Sequence, residues 1–153
     1  MPIGSPRNFH KKFKYLVEID GFVSFAFQTC SALEAEVATV EQWEGGALQA
    51  DKSPGRATVS DITLERGVTD DLDAWNWFKE VLNMSAGTGV VTPNHIRGVE
   101  IVQLDRDASE LRRWALIGPW PKKFVAGDWD GTADENVVET LVLSIDGFDP
   151  VSV

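Results

Sequence analysis

The sequence predicts a mainly β fold of the α+β kind, an antiparallel β-sandwich or barrel with one flanking α-helix. Three observations lead there. Side chains alternate with period two near both ends of the chain, with Phe13, Tyr15, Val17 and Ile19 on one face and, later, Leu141, Leu143 and Ile145 on another. A single convincing stretch, near residues 70–83, carries helical periodicity. Strands and helices do not alternate along the chain, which removes the parallel α/β folds.

Taken in order, residues 1–12 contain Pro2, Gly4 and Pro6 and read as a flexible N-terminal arm preceding one domain, residues 13–153. Asp20-Gly21 is a tight-turn signal, because glycine tolerates positive φ, and Phe22–Gln28 reads as the second limb of a hairpin. Ala35–Glu41 is a weaker third strand. Residues 43–57, WEGGALQADKSPGRA, read as a long loop or floppy hairpin tip, and loops of that length are usually functional. Val59–Glu65 is a fourth strand, with Ile62 and Leu64 sharing a face.

Thr69-Asp70-Asp71 supplies capping oxygens and first-turn acids for the helix, whose apolar face is expected to be Leu72, Trp75, Phe78, Val81 and Leu82. Arg97–Leu104 and Glu110–Ile117 form a hairpin around Asp105–Asp107. Pro119 and Pro121 cannot donate to a β-ladder, so Trp120 belongs to an edge strand. Val137–Asp146 is the cleanest strand of all. The total is six to eight strands and one helix.

With 153 residues, 43% hydrophobic and 25% charged, the chain has the balance of a globular domain. No apolar run approaches the roughly 20 residues of a bilayer span, and the N-terminus lacks the apolar core of a signal peptide, so neither a membrane anchor nor export is expected. The formal net charge of −10 opposes polyphosphate binding. The basic groups Lys11–Lys12–Lys14, Arg112–Arg113 and Lys122–Lys123 lack interleaved aromatics for base stacking.

Catalytic and cofactor chemistry is not legible. His10 and His95 have no companion nucleophile motif, and Gly45-Gly46 and Gly87–Gly89 lack the Lys-Ser/Thr of a phosphate loop. The acidic run Asp128–Glu135 suggests a calcium loop, but counted from Asp128 it puts Gly131 fourth rather than sixth. Six tryptophans could stack sugars, though their scatter favours core and subunit anchors. No enzyme, cofactor or metal site is expected. Cys30 is the single cysteine, read as a small buried residue or as a thiol crosslinking subunits.

Several runs are similar to the phage tail tube family of contractile tails and injection systems. They are FKYLVEIDGFVSFAFQTCSALEAEVATVEQWEGG, SPGRATVSDITLERGVTDDLDAWNWF, IVQLD, RRWALIGPWPKKF and ENVVETLVLSIDGF, which together cover residues 13–148 in the family's order. Ala32 stands where that family often has glycine, and Cys30 is unusual for it. The resemblance implies a hexameric ring whose sheets join into a continuous β-barrel lumen. Rings would stack into a tube inside a contractile sheath, with baseplate and tail-terminator proteins at its ends. The particle, a virion tail or injection device, would be assembled in a host bacterial cytoplasm. DNA or effector would pass along acidic walls without specific binding; at −10 per chain, a ring carries roughly −60 formal charges.

Trp43, Glu44, Gly45, Gly46, Lys52, Pro54, Gly55 and Arg56 are the expected inter-ring or intersubunit contact residues, with Pro54 and Gly55 shaping the loop's return and Arg56 pairing with an acid. Two alternatives stand beside the tube subunit. One is a single-ring tube initiator or cap near the baseplate. The other is a carbohydrate- or calcium-binding module using the tryptophans or the acidic turn.

Overall fold

A computed structural model of the protein describes residues 14–22, 27–46, 48–85 and 95–152. In chain order the elements are β1 (Tyr15–Ile19), β2 (Thr29–Cys30), β3 (Ala35–Gln42), β4 (Asp51–Val59), β5 (Ile62–Gly67), α1 (Asp73–Ser85), β6 (Val99–Leu104), β7 (Glu110–Ile117), β8 (Trp120–Val125), β9 (Val138–Ser144) and β10 (Gly147–Val151). Two four-stranded sheets, ordered β1-β6-β7-β10 and β2-β5-β9-β8, face each other, and β3-β4 forms a third, two-stranded sheet. Every described pairing is antiparallel.

Period-two alternation decides which side chains meet between the sheets. Val17, Ile19, Val99 and Leu116 come from the first sheet, and Ile62, Leu64, Leu141, Leu143 and Ile145 from the second. Each such side chain contributes about 1.5–3 kcal/mol by leaving water. The strand expected at Val137–Asp146 is β9; its residues 139, 141 and 143 are buried, as is Ile145 just beyond it. The expected hairpin of Arg97–Leu104 and Glu110–Ile117 is β6-β7. Trp120 and Pro121 lie in edge strand β8, whose ladder is interrupted between Pro121 and Lys123.

Three expectations need correction. Residues 51–57 are not loop: they belong to β4, which pairs with β3 from Ala35↔Val59 to Gln42↔Asp51. Pro54 and Gly55 are accommodated because the register shifts between Val37 and Thr39, and a bulge is where a sheet tolerates proline. The helix is rotated from its expected face. Ala74 and Trp77 are buried and Phe78 and Val81 half-buried, at spacing i, i+3, i+4, i+7, whereas Leu72, Trp75 and Leu82 are exposed. Two adjacent apolar stripes share Phe78 and Val81, and the complete burial of Trp77 selects one of them. Trp77 meets Phe22 edge to face at 6.0 Å and donates its Nε1–H to the His95 carbonyl at 2.8 Å. Finally, β10 escaped notice because Pro150 disguises it; at a sheet edge that proline is harmless.

Phe22 donates to the Ile19 carbonyl at 3.0 Å, closing the turn expected at Asp20-Gly21, where Gly21 has φ 84°. Of the strand expected at Phe22–Gln28, residues 23–26 lie outside the described residues, as do Phe13 and the expected arm; Phe22, Phe27 and Gln28 are not in a strand.

Two arginines tie the layers. Arg66, on β5, is buried with its guanidinium 5.3 Å from the Phe22 ring centroid and 5.5 Å from that of Phe27. It pairs with Glu139 on β9 and lies 3.6 Å from Asp71 at the helix entrance. Asp71 also accepts the Asp73 N–H at 2.9 Å, so one charge cluster joins the second sheet to the start of α1. On the first sheet, Glu18 and Glu100 stand directly opposite each other, a repulsive pairing by itself. Arg113 resolves it by donating to Glu18 at 2.6 Å, to Glu100, and to Glu110 at 2.5 Å; these bonds raise its pKa further above the ordinary arginine value.

Replacing Arg66 by alanine is expected to lower stability by about 3–5 kcal/mol, because Glu139 and Asp71 lose their buried counter-charge. The pair Arg66→Met with Glu139→Leu should recover much of that loss in urea titrations. A double variant no more stable than Arg66→Ala would remove the buried charge as the cause.

Candidate assembly interface

The register of two separate pairings is one register. Thr29↔Glu65 and Cys30↔Leu64 at the base have the same offset as Ala35↔Val59, Glu36↔Thr58 and Val37↔Ala57 farther out. Between them, Ser31 donates to the Thr63 carbonyl at 3.0 Å and Ser60 donates to the Glu34 carbonyl at 3.1 Å. Residues 29–42 and 51–65 therefore form the two limbs of one continuous β-ribbon with a bend near its middle. Its base lies in the second sheet, where Ile62 and Leu64 are fully buried. Its outer half leaves the sandwich: every residue of β3 is exposed, and every residue of β4 except Val59.

A two-stranded ribbon with both faces in water is marginal alone. This one also carries exposed apolar side chains, Val37, Val40, Trp43 and Leu48, the last 97% exposed. Near the tip, Glu41, Trp43, Leu48, Asp51 and Lys52 border an open hollow of about 620 Å³. Gly55 serves the ribbon itself, since a Cβ there would stand 3.0 Å from Val40 Cγ2 and 3.1 Å from the Ala38 carbonyl oxygen. Its partners in the expected contact set divide. Trp43, Glu44, Gly45 and Gly46 occupy the tip, while Lys52, Pro54 and Arg56 lie with Gly55 in β4.

Sequence reasoning missed Val37 and Val40. A signal was present: in AEVATVEQ both alternating sets mix polar and apolar residues, so neither face is committed to a core.

Asp130 accepts the Thr132 N–H at 3.0 Å and its hydroxyl at 2.8 Å, which lowers the Asp130 pKa and commits an oxygen to shaping the turn. Among the described residues no three His, Cys, Asp or Glu side chains converge on a point that could hold a metal. Trp129 projects from this turn, 75% exposed.

Cys30 is half-buried at the ribbon base, with its thiol 3.5 Å from the Ser31 carbonyl and beside a hollow of about 320 Å³ bordered by Tyr15, Leu33 and Ile101. Burial pushes its pKa up to about 11.

With that geometry in view, residues 11–149 match the family model of the T4-like virus tail tube protein gp19. The chain belongs to the T4-like virus tail tube protein family. Among solved structures it is similar to a chain of the extracellular contractile injection system PVC sheath–tube complex in its extended state, with TM-score 0.77 and 18% identity over 99% of this chain and 95% of that one. A chain of the anti-feeding prophage tube-terminating cap gives TM-score 0.78 at 18% identity, covering 97% and 95%. Hcp1 from Flavobacterium johnsoniae gives 0.57 at 14%, covering 90% and 94%. No curated protein matches.

For this tail tube family member, Cys30 is expected to react with a maleimide about a hundredfold more slowly than an unhindered thiol at pH 8, since thiolate is the nucleophile. The rate should climb about tenfold per pH unit toward pH 11. A rate plateau near pH 9 would contradict the raised pKa.

Proposed function

We propose that this chain is the repeating subunit of a hollow inner tail tube. Six copies close into a ring, rings stack, and the tube conducts DNA or a protein effector after a surrounding sheath contracts. The role is structural, not enzymatic. The observation that carries the reading is the β-ribbon, which leaves its own sandwich and presents apolar side chains on an otherwise strongly acidic chain. Such a ribbon gains its missing burial from another subunit, and repetition of one contact around a closed ring removes exposed strand edges. Family membership supports the same reading, as does likeness to chains solved within sheath–tube and cap assemblies.

In this proposal Trp43, Glu44, Gly45 and Gly46 reach the adjacent ring or subunit, while Lys52, Pro54, Gly55 and Arg56 stiffen and steer the limb that carries them. Sheath, baseplate and terminator proteins are its partners in the particle. Assembly takes place in the host bacterial cytoplasm. The net charge of −10 suits passage of a polyanion without adhesion. A tube-initiating or capping ring is the second reading, favoured by the equal likeness to the cap chain.

Electron microscopy of the purified protein separates the two: long filaments with an axial hole support the tube subunit, and isolated rings support the initiator. Replacing residues 44–50 by Asn-Gly keeps the ribbon closed but removes its tip. That variant is expected to remain folded yet form no long tubes; tubes of normal length would overturn the assigned contact.

A further inference from the structure

We infer which two strand edges join neighbouring copies: the β2–β3 limb of one subunit pairs with β8 of the next. This rests on the ring proposed above and specifies its seam.

The second sheet ends on one side at β2, which continues through the bend into β3, and on the other side at β8. Among the described residues, β2 pairs only with β5, β3 only with β4, and β8 only with β9. Among the described residues, then, no strand pairs along the outer side of any of the three. Direction alternates through β2, β5, β9 and β8, so β8 runs opposite to β2–β3 of a following copy and the seam is antiparallel like every other pairing.

Charge selects this seam. Residues 29–42, TCSALEAEVATVEQ, contain Glu34, Glu36 and Glu41 and no cation. β8, WPKKFV, contains Lys122 and Lys123 and no acid. On a chain of net charge −10, a surface that welcomes an acidic limb is scarce. The edges of the first sheet offer no cation: β10, GFDPV, carries Asp149, and β1, YLVEI, carries Glu18. Val125 on β8 is 37% exposed and Val37 on β3 is 53% exposed, so the seam also buries apolar surface on both sides. Lysines and a bulge on β8 are devices that keep an edge from pairing indiscriminately, and here they admit an acidic partner strand.

Charge reversal tests the seam. Lys122→Glu with Lys123→Glu is expected to abolish rings and tubes, and so is Glu34→Lys with Glu36→Lys. An equimolar mixture of the two variants should assemble again, because each then offers the other a complementary edge. Lys122 pairs with Asp61 at 2.7 Å within the chain, so Lys123→Glu alone serves as the variant that leaves that bond intact. Circular dichroism and thermal melting establish that each variant is folded.

Carbodiimide coupling of wild-type assemblies provides a second measurement, with an interchain link between Lys123 and Glu34, Glu36 or Glu41 as the expected product. Wild-type protein that never forms rings would defeat the tube reading itself. Wild-type rings that tolerate the reversals, or folded variants that stay apart when mixed, would overturn only the seam.

Discussion

A pair of strands that projects into water cannot supply its own burial, and in this protein that constraint shapes much of the rest. The ribbon formed by residues 29–42 and 51–65 is one hydrogen-bonded ladder, but only its base is covered. Where Cys30, Ile62 and Leu64 meet the sandwich, the ladder is supported by the second sheet. Beyond the bend at Ser31–Glu34 and Ser60–Asp61 every residue of β3 and β4 is exposed except Val59, which packs against the core. The outer half keeps its shape through devices internal to it, including the Val37–Thr39 register shift and the close approach of Gly55 to Ala38 and Val40.

The sandwich body must be rigid for such an arm to be aimed. Its core is formed by alternating strands from both sheets, and α1 contributes Ala74 and Trp77. Aromatic packing of Trp75 and Phe78 on Phe124, at 5.8 and 6.2 Å, holds the helix along β8. The Arg66–Glu139–Asp71 cluster anchors the start of that helix to the sheet. A buried charge is a poor source of stability compared with apolar packing, but it is selective, since few alternative arrangements satisfy it. Arg113 plays the corresponding part on the first sheet, where it allows three carboxylates to share one face.

Much of the fold was legible because burial on one face leaves a periodic trace. β9, β5, the β6-β7 hairpin and the edge position of β8 were all readable from alternation and proline placement. The failures occurred where the trace was absent or doubled. β4 has no buried face and contains Pro54-Gly55, so it looked like loop. β10 carries Pro150. The helix offered two apolar stripes, and nothing local distinguishes Trp75 from Trp77.

By itself, the sequence determined the class of the fold, the absence of recognisable catalytic motifs, the acidic character and the family, because these depend on composition, local periodicity and motif order. The projecting ribbon was half legible. The tip residues Trp43–Gly46 stood out as an unusually long connection, but their support did not. Only the tertiary structure decided that residues 51–57 extend a ladder begun at Thr29, that Trp77 rather than Trp75 is buried in the core, and that Val37 and Val40 remain uncovered. The physical reason is that exposure is a property of what lies opposite a side chain, and what lies opposite is set by contacts between segments far apart in the chain.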